Sequence, residues 1–413
     1  MPLFSPRFHP GHRVQLLQGA QELFPALVRA MDAARTSVLL ETYIFDTTGA
    51  GADIARALAR AAARGVRTQL VVDGVGTGRL PAHWFAHLRS AGVQVRVYAP
   101  LGPLGLLLPG QWRRLHRKLC VVDGTVLFCG GINILDDFHD PHFGALSAPR
   151  FDFAVRTEGA LVAQAQATME QLWWRLQAVH DARHYHLPQA VQALREAGVG
   201  LHMGRGGQRA RARAGHGQGM RAALLLRDNL RHRSRIERAY RRAIAMARED
   251  IIIANAYFLP GGKLRRALVL AAQRGVRVRL LLQGRYEYFM PHHAVRPVYH
   301  TLLQAGVEIY EYAPSFLHAK VAVIDAQGRR PWATVGSSNL DPLSLLLARE
   351  ANVVVRDRAF ASELHARLCQ AMAGAGQRVQ AVQLAQRPWH QRLLDRVAYA
   401  LMRSALWLTG NRY

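Results

Sequence analysis

The sequence is poor in what builds disulfide frameworks, metal centres and membrane spans. Its 413 residues contain three cysteines, Cys120, Cys129 and Cys369. These make no disulfide scaffold and show no metal-ligand spacing, which fits a reducing compartment. A run of about 18 apolar residues is missing, so no spanning helix is expected. The opening stretch MPLFSPRFHPGHRVQLL, broken by Pro, His and Arg, lacks the apolar stretch of a targeting signal. Acidic residues are also few, 28 Asp+Glu against 54 Lys+Arg, for a formal charge of +26. That imbalance favours anionic partners, whether nucleic acid, phosphorylated substrates or anionic lipid surfaces. A 50% apolar composition excludes a disordered chain, and the length suits two domains of ordinary size or one large one.

The scarcest basic residue is lysine. Among the 54 basic positions only Lys118, Lys263 and Lys320 carry it, and arginine fills the rest. Where lysine persists against such a bias, a compact ammonium is needed that a planar guanidinium does not replace. Lys263, at the start of a helical segment, reads as a solvated charge. The other two lead to a repeated motif.

The chain is written twice. RAAARGVRTQLVVDG (60–74) is matched by LAAQRGVRVRLLLQG (270–284), and LRSAGVQVRVYAP (88–100) by LLQAGVEIYEYAP (302–314). AARTSVLLETYIF (33–45) is matched by MAREDIIIANAYF (246–258), in the same order and at offsets near 198–214 residues. Internal repetition on this scale is a duplication. Apolar runs such as SVLLETYIF and IIIANAYF read as buried strands, and Ala-rich segments such as DIARALARAAARG as helices closed by Gly. The alternation predicts an α/β fold with helices over a parallel or mixed sheet. The Gly/Arg-rich stretch 203–220 reads as a linker, with RNA binding by its arginines as the alternative. The expected division is an N-terminal domain over 1–200, a linker over 201–221, a C-terminal domain over 222–375 and a basic amphipathic helix over 376–413.

Each half carries H-x-K-x4-D. The first copy is His116, Lys118 and Asp123, the second His318, Lys320 and Asp325. Gly130–Asn133 and Gly336–Asn339 follow, then Asp152 and Glu350. The runs LCVV and VAVI place each motif on a strand, where residues i and i+2 share a face, so His and Lys stand side by side. The Asp lies an odd step away at the strand end, where it is expected to anchor the turn. Gly-x-x-Asn offers an amide and free N–H groups for phosphate oxygens. Two such pairs suit phosphoryl transfer without a metal or cofactor. One imidazole attacks phosphorus, the other protonates the leaving oxygen, and the lysines and asparagines Asn133 and Asn339 stabilise the non-bridging oxygens. If Arg and Lys were interchangeable, both motif positions would be Lys with probability (3 × 2)/(54 × 53), about one in 500.

Paired H-x-K-x4-D motifs with GxxN resemble the phospholipase D superfamily, known for two HKD motifs. Within it the chain is similar to the bacterial cardiolipin synthase B branch, through VLLETYIFD, LHRKLCVVDG, FCGGIN, IIIANAYFLPG, LHAKVAVID, ATVGSSNLDPLSL and EANVVV. The likeness covers nearly the whole chain, weakest over 185–225 and after about 375. It implies two similar α/β/α sandwich domains related by a pseudo-twofold, with one active site at their interface. It implies a covalent phosphohistidine on one motif histidine, His116 by analogy, with His318 as acid and then base. It places Lys118, Lys320, Asn133 and Asn339 on the phosphate and Asp152 and Glu350 against the imidazoles. Ser337 joins the phosphate set, because Gly131-Ile132 stands where the second half has Ser337-Ser338, and unequal phosphate binding by the halves is expected. The implied reaction is transphosphatidylation: a phosphatidyl group passes from phosphatidylglycerol, or another glycerophospholipid such as phosphatidylethanolamine, to a second phosphatidylglycerol, giving cardiolipin. The alternative is a phosphodiesterase of the same superfamily that hydrolyses phospholipid or nucleic acid.

The charge suits DNA as well as anionic lipid, so two other segments bear on the partner. LGPLGLLLPGQW (101–112), just before His116, reads as a lip dipping into lipid or as a buried loop. In RLLDRVAYALMRSALWL, Leu394, Val397, Leu401, Ala405 and Leu408 form one helical stripe and Arg392, Arg396 and Arg403 lie opposite. That pattern fits an interfacial helix, or one packed on the second domain. A peripheral protein on the cytoplasmic face of a bacterial membrane is expected, with anionic phospholipid as partner. The histidines of PHH (291–293) are expected to be structural or to rim the substrate site.

Overall fold

A computed structural model describes residues 6–100, 102, 112–141, 143–183, 186, 188–198, 219–228, 234–285, 289–341, 348–380 and 388–408. The Gly/Arg-rich stretch up to 218 and nearly all of the 101–112 segment lie outside the described residues.

The first half runs β1 (His9–Gln18), α1 (Gly19–Asp32), β2 (Ser37–Thr42), α2 (Gly51–Ala63), β3 (Arg67–Asp73), α3 (Ala82–Ser90) and β4 (Gln94–Tyr98). After the short β5 (Arg114–Leu115) come β6 (Lys118–Val122), β7 (Val126–Gly130), a small hairpin of β8 (His139–Asp140) and β9 (Gly144–Ala145), β10 (Phe153–Glu158) and α4 (Leu161–Arg183). The second half repeats the plan with β11 (Met220–Arg227), α5 (Arg235–Met246), β12 (Asp250–Asn255), α6 (Gly262–Gln273), β13 (Arg277–Gln283), α7 (Phe289–Gln304) and β14 (Glu308–Tyr312). It closes with β15 (Lys320–Ile324), β16 (Trp332–Gly336), β17 (Ala348–Arg356), α8 (Arg358–Ala375), β18 (Gly376–Arg378) and α9 (Trp389–Leu408). Two boundaries differ from expectation. Met220 already belongs to a strand, and the chain after 375 first pairs β18 with β14 before it forms a helix.

The duplication is visible strand by strand. In spatial order the first half is β4-β3-β2-β6-β7-β10-β1 and the second β14-β13-β12-β15-β16-β17-β11. The strands of the βαβ units pair in parallel, while the motif strand joins antiparallel to the first of them in both halves. β1 and β11 pair antiparallel and fuse the halves into one 16-stranded sheet. Helices α2 and α6 end alike, at Gly65 (φ 82°) and Gly275 (φ 85°), a left-handed position that glycine adopts without a Cβ penalty.

Among the described residues three large apolar cores hold this plan, beside a small cluster of Val71, Tyr98, Leu115, Leu172 and Trp173. One lies between α1, α2 and the first-half sheet, and one between α5, α6, α7 and the second-half sheet. The third is shared. Leu119, Val155 and Met169 from the first half join Val321, Val353 and Leu364 from the second in one cluster. A buried apolar surface drawn from both halves makes them one unit, and the motif strands β6 and β15 both enter it.

Each motif Asp stands at its strand end with a positive φ, 50° at Asp123 and 48° at Asp325, a region short polar side chains tolerate. Asp123 accepts from the amides of Arg35, Thr36 and Ser37 at 2.8–2.9 Å, and Asp325 from those of Arg248, Glu249 and Asp250 at 2.9–3.2 Å. Partial burial acts against the Asp123 anion, but these donors outweigh it and hold its pKa below the ordinary value. The two aspartates therefore tie motif strand to neighbour strand, as expected for turn anchors. Neither is among the residues lining the cleft into which the motif histidines open.

The halves differ beneath the motif. Arg117 and Glu41 form a bidentate ion pair with both side chains buried, and Arg117 also donates to the Thr168 carbonyl. By strand register their counterparts are Ala319 and Ala254, which are apolar. Removing one partner of a buried pair strands a charge, whereas removing both leaves a packable apolar site. Glu41→Ala is therefore expected to lower stability by about 3–5 kcal/mol. The double variant Glu41→Ala/Arg117→Ala, which copies the second half, is expected to recover most of that loss in urea unfolding.

Candidate active site

The sequence places both motif histidines just before a buried strand, and the fold turns them toward each other by backbone bonds that cross between the halves. The His116 amide donates to the Arg349 carbonyl at 3.1 Å, where β5 pairs in parallel with β17. The amides of His318 and Ala319 donate to the Phe151 carbonyl at 2.9 and 3.0 Å. Arg349 and Phe151 each precede the carboxylate of their own half. Those carboxylates then take the opposite imidazole: His116 Nδ1 lies 3.0 Å from Glu350 Oε1, and His318 Nδ1 lies 2.7 Å from Asp152 Oδ2. With Nδ1 engaged on each ring, Nε2 is the nitrogen left for substrate. The expected His-orienting residues are therefore in contact with the imidazoles, and each serves the other half's histidine.

Both rings border one cleft of about 900 Å³, with Asn133, Asn339 and Asp152 among its walls. Asn133 Oδ1 accepts from the Ile44 amide at 3.2 Å, which turns its NH₂ group away from that backbone. The lysines stand behind the rings. Lys118 Nζ donates to the His116 carbonyl at 2.8 Å, and Lys320 Nζ to the His318 carbonyl. Lys118 also lies over the Tyr43 ring, which itself contacts His116 edge-on with centroids 5.0 Å apart. Burial and the neighbouring Lys320 charge push the Lys118 ammonium down to about 7.

The carboxylates are not equivalent. Burial pushes the Asp152 carboxyl up to about 7. Burial acts on Glu350 too, but His116 and the Arg227 and Lys118 charges outweigh it and hold that carboxyl below its ordinary value. The Ser337 hydroxyl donates to Glu350 Oε2. The first half has no room for such a donor. A Cβ on Gly131 would clash with the Asp152 carboxylate. Ser337 is fully buried, with its hydroxyl on the Glu350 carboxylate. The two halves therefore differ in what stands behind the carboxylate. Both imidazoles are shifted down by burial: His116 is partly restored by Glu350, and His318 falls well below its ordinary value next to Lys320 and Lys118.

Two contributors were not singled out from sequence. Asp73 Oδ2 accepts from the Leu115 amide at 2.7 Å, and Gln283 Oε1 from the Leu317 amide at 2.9 Å. These are the residues immediately before His116 and His318. Asp73 and Gln283 end the repeated VVDG and LLQG segments, so the repeat was the signal that marked them.

The cleft wall becomes apolar toward the exterior. Phe316 and Leu317 line it, Phe143 stacks on Phe316 with centroids 5.3 Å apart, and Val75, Trp112 and Phe143 are exposed. A cleft with two imidazoles and amides within, rimmed by apolar side chains, has the polarity pattern of an amphipathic ligand.

Comparisons with known proteins agree with this geometry. A family model described as "Cardiolipin synthase, PLD-like domain" matches residues 27–173 and 240–372. The chain is 35% identical to cardiolipin synthase B of Escherichia coli K12 over 97% of its own length and 90% of that protein. It is 27% identical to a probable cardiolipin synthase of Bacillus subtilis, over 83% of this chain and 63% of that one. Among solved structures, the phosphatidylserine synthase of Haemophilus influenzae Rd KW20 shares the fold with a TM-score of 0.66 at 12% identity, covering 98% of this chain and 97% of that one.

Because Lys118 carries its charge in the free protein only below about pH 7, and a bound phosphodiester anion favours the charged form, substrate affinity is expected to fall as pH rises through 7. KM measured between pH 6 and 9 should climb by up to about tenfold per unit above neutrality. In Lys118→Met it should be high and nearly flat.

Proposed function

Because the chain belongs to the cardiolipin synthase family of phospholipase D-like proteins, we propose that it is a phosphatidyltransferase that makes cardiolipin from phosphatidylglycerol. The observation that carries this reading is the pair of carboxylate-held imidazoles, one from each half, opening onto one cleft with an apolar rim. One imidazole supplies a nucleophile and the other a proton, and the rim admits acyl chains.

In this reading His116 Nε2 attacks the phosphorus of a phosphatidylglycerol. The phosphorus–oxygen bond to the glycerol headgroup breaks, and His318 gives its Nε2 proton to that oxygen. The phosphatidyl group is then held on His116. A second phosphatidylglycerol enters, His318 takes the proton from its headgroup hydroxyl, and that oxygen attacks phosphorus and frees His116. The products are cardiolipin and glycerol. Lys118, Lys320, Asn133 and Asn339 stabilise the non-bridging oxygens. The graded carboxylates support the division of roles. Glu350, held as an anion, balances the positive charge His116 acquires when it is phosphorylated. Asp152, with its pKa near 7, shares a proton with His318 and suits the partner that must release and recover one at neutral pH. The charge of +26 draws the protein to anionic lipid on the cytoplasmic face of a membrane, where it acts as a peripheral enzyme.

Lipid mass spectrometry on vesicles of phosphatidylglycerol, with and without phosphatidylethanolamine, tests the reading. Cardiolipin is expected from the parent, with His116→Ala and His318→Ala each slower by at least about a thousandfold. Phosphatidic acid as sole product would make the protein a hydrolase, and cleavage of a DNA control without lipid turnover would remove lipid as the substrate. A donor with a nitrophenol leaving group needs no proton for departure, so His318→Ala should still accumulate the covalent adduct while His116→Ala forms none.

A further inference from the structure

The helix α9 docks by one narrow face and leaves a different face uncovered. Its inward side is set by the buried Asp395, whose carboxylate lies 2.7 Å from Nδ1 of the largely buried His293 on α7. Ala398 is 2% exposed, and the Tyr399 hydroxyl accepts from Arg265 on α6 at 3.2 Å. On a helical wheel these three cluster on one side. The outward side carries Trp389, Leu393, Leu394, Val397 and Leu401, with exposures of 70, 53, 38, 45 and 56%. Arg392 and Arg396, also exposed, fall along one border of that apolar arc, between it and the docked face.

The expected apolar stripe through Leu394, Val397 and Leu401 is therefore exposed, and packing on the domain uses other residues. Five large apolar side chains facing outward on one helix need a covering surface. A helix laid flat on a bilayer has this division, with an apolar face for the acyl boundary, a Trp near the headgroups and arginines beside it for lipid phosphates. The charge of +26 on the chain and the two arginines at the border select an anionic bilayer over a neutral surface.

We propose that the outward face of α9 is the surface by which this protein docks onto an anionic phospholipid bilayer, with the His293–Asp395 pair fixing the helix so that the face points away from the domain. The inference deepens the lipid reading above, and it locates the contact on a helix carried by α6 and α7 of the second half.

The test uses the full chain. Leu393→Asp/Val397→Asp/Leu401→Asp changes three exposed positions and none of the docked face. In flotation with vesicles of phosphatidylglycerol and phosphatidylcholine, the triple variant should bind at least tenfold more weakly than the parent. Turnover of vesicle phosphatidylglycerol should fall with binding, while turnover of a short-chain, monomeric phosphatidylglycerol below its micelle concentration should match the parent. Arg392→Glu/Arg396→Glu should lose binding to anionic vesicles at low salt. Unchanged flotation of the triple variant would overturn the proposal. So would a parent that runs as a dimer and a triple variant that runs as a monomer, since a second copy then covers the face. If the parent turns over neither lipid form but floats through this helix, the substrate reading fails while the docking surface stands.

Discussion

Everything at the cleft depends on a crossed contact in which each half supplies the carboxylate and the carbonyl that hold the other half's histidine. The Phe151 carbonyl fixes the His318 backbone while Asp152, one residue on, takes its ring. The Arg349 carbonyl and Glu350 do the same for His116. Neither imidazole takes its carboxylate from its own repeat. A single half would leave its imidazole without that partner and its carboxylate buried unpaired, which is costly. The shared apolar cluster and the β1–β11 pairing exist in the same structure because this contact requires two halves held in fixed register.

Duplication accounts for the site's symmetry, and a few departures from it account for its polarity. Ser337 donates to Glu350 where Gly131 offers Asp152 no hydroxyl; the His116, Arg227 and Lys118 charges hold Glu350 below its ordinary value, while burial pushes Asp152 up to about 7. Arg117 and Glu41 fill with an ion pair a place that Ala319 and Ala254 fill with methyl groups. Two chemically identical imidazoles become different reagents through what stands behind them. Burial is the common background, since it lowers both histidines and Lys118 and raises Asp152, and the neighbouring charges of Lys118, Lys320 and Glu350 then set the groups apart.

The exposed apolar side chains fall in two places. Val75 and Trp112 line the cleft, with Phe143 exposed beside Phe316, whereas the uncovered apolar face of α9 belongs to a helix clamped to α7. Among the described residues no helix is long and apolar enough to cross a membrane. Attraction by net charge and attachment by apolar contact act at different ranges, the first over a Debye length and the second only on contact.

From the sequence alone came the α/β class, the duplication, the strand placement of both motifs and the anchoring role of Asp123 and Asp325. These are local or periodic properties: a two-residue repeat sets a face, an odd spacing reverses it, and a second copy repeats both. The two lysines stood out because arginine had replaced the rest. Pairing His116 with Glu350 and His318 with Asp152 required the tertiary structure, since the partners are 234 and 166 residues apart and belong to opposite halves. So did the contact of the Ser337 hydroxyl with the Glu350 carboxylate. The helical wheel of α9 drew the apolar stripe correctly but not its exposure, because periodicity marks a face and only packing decides what covers it.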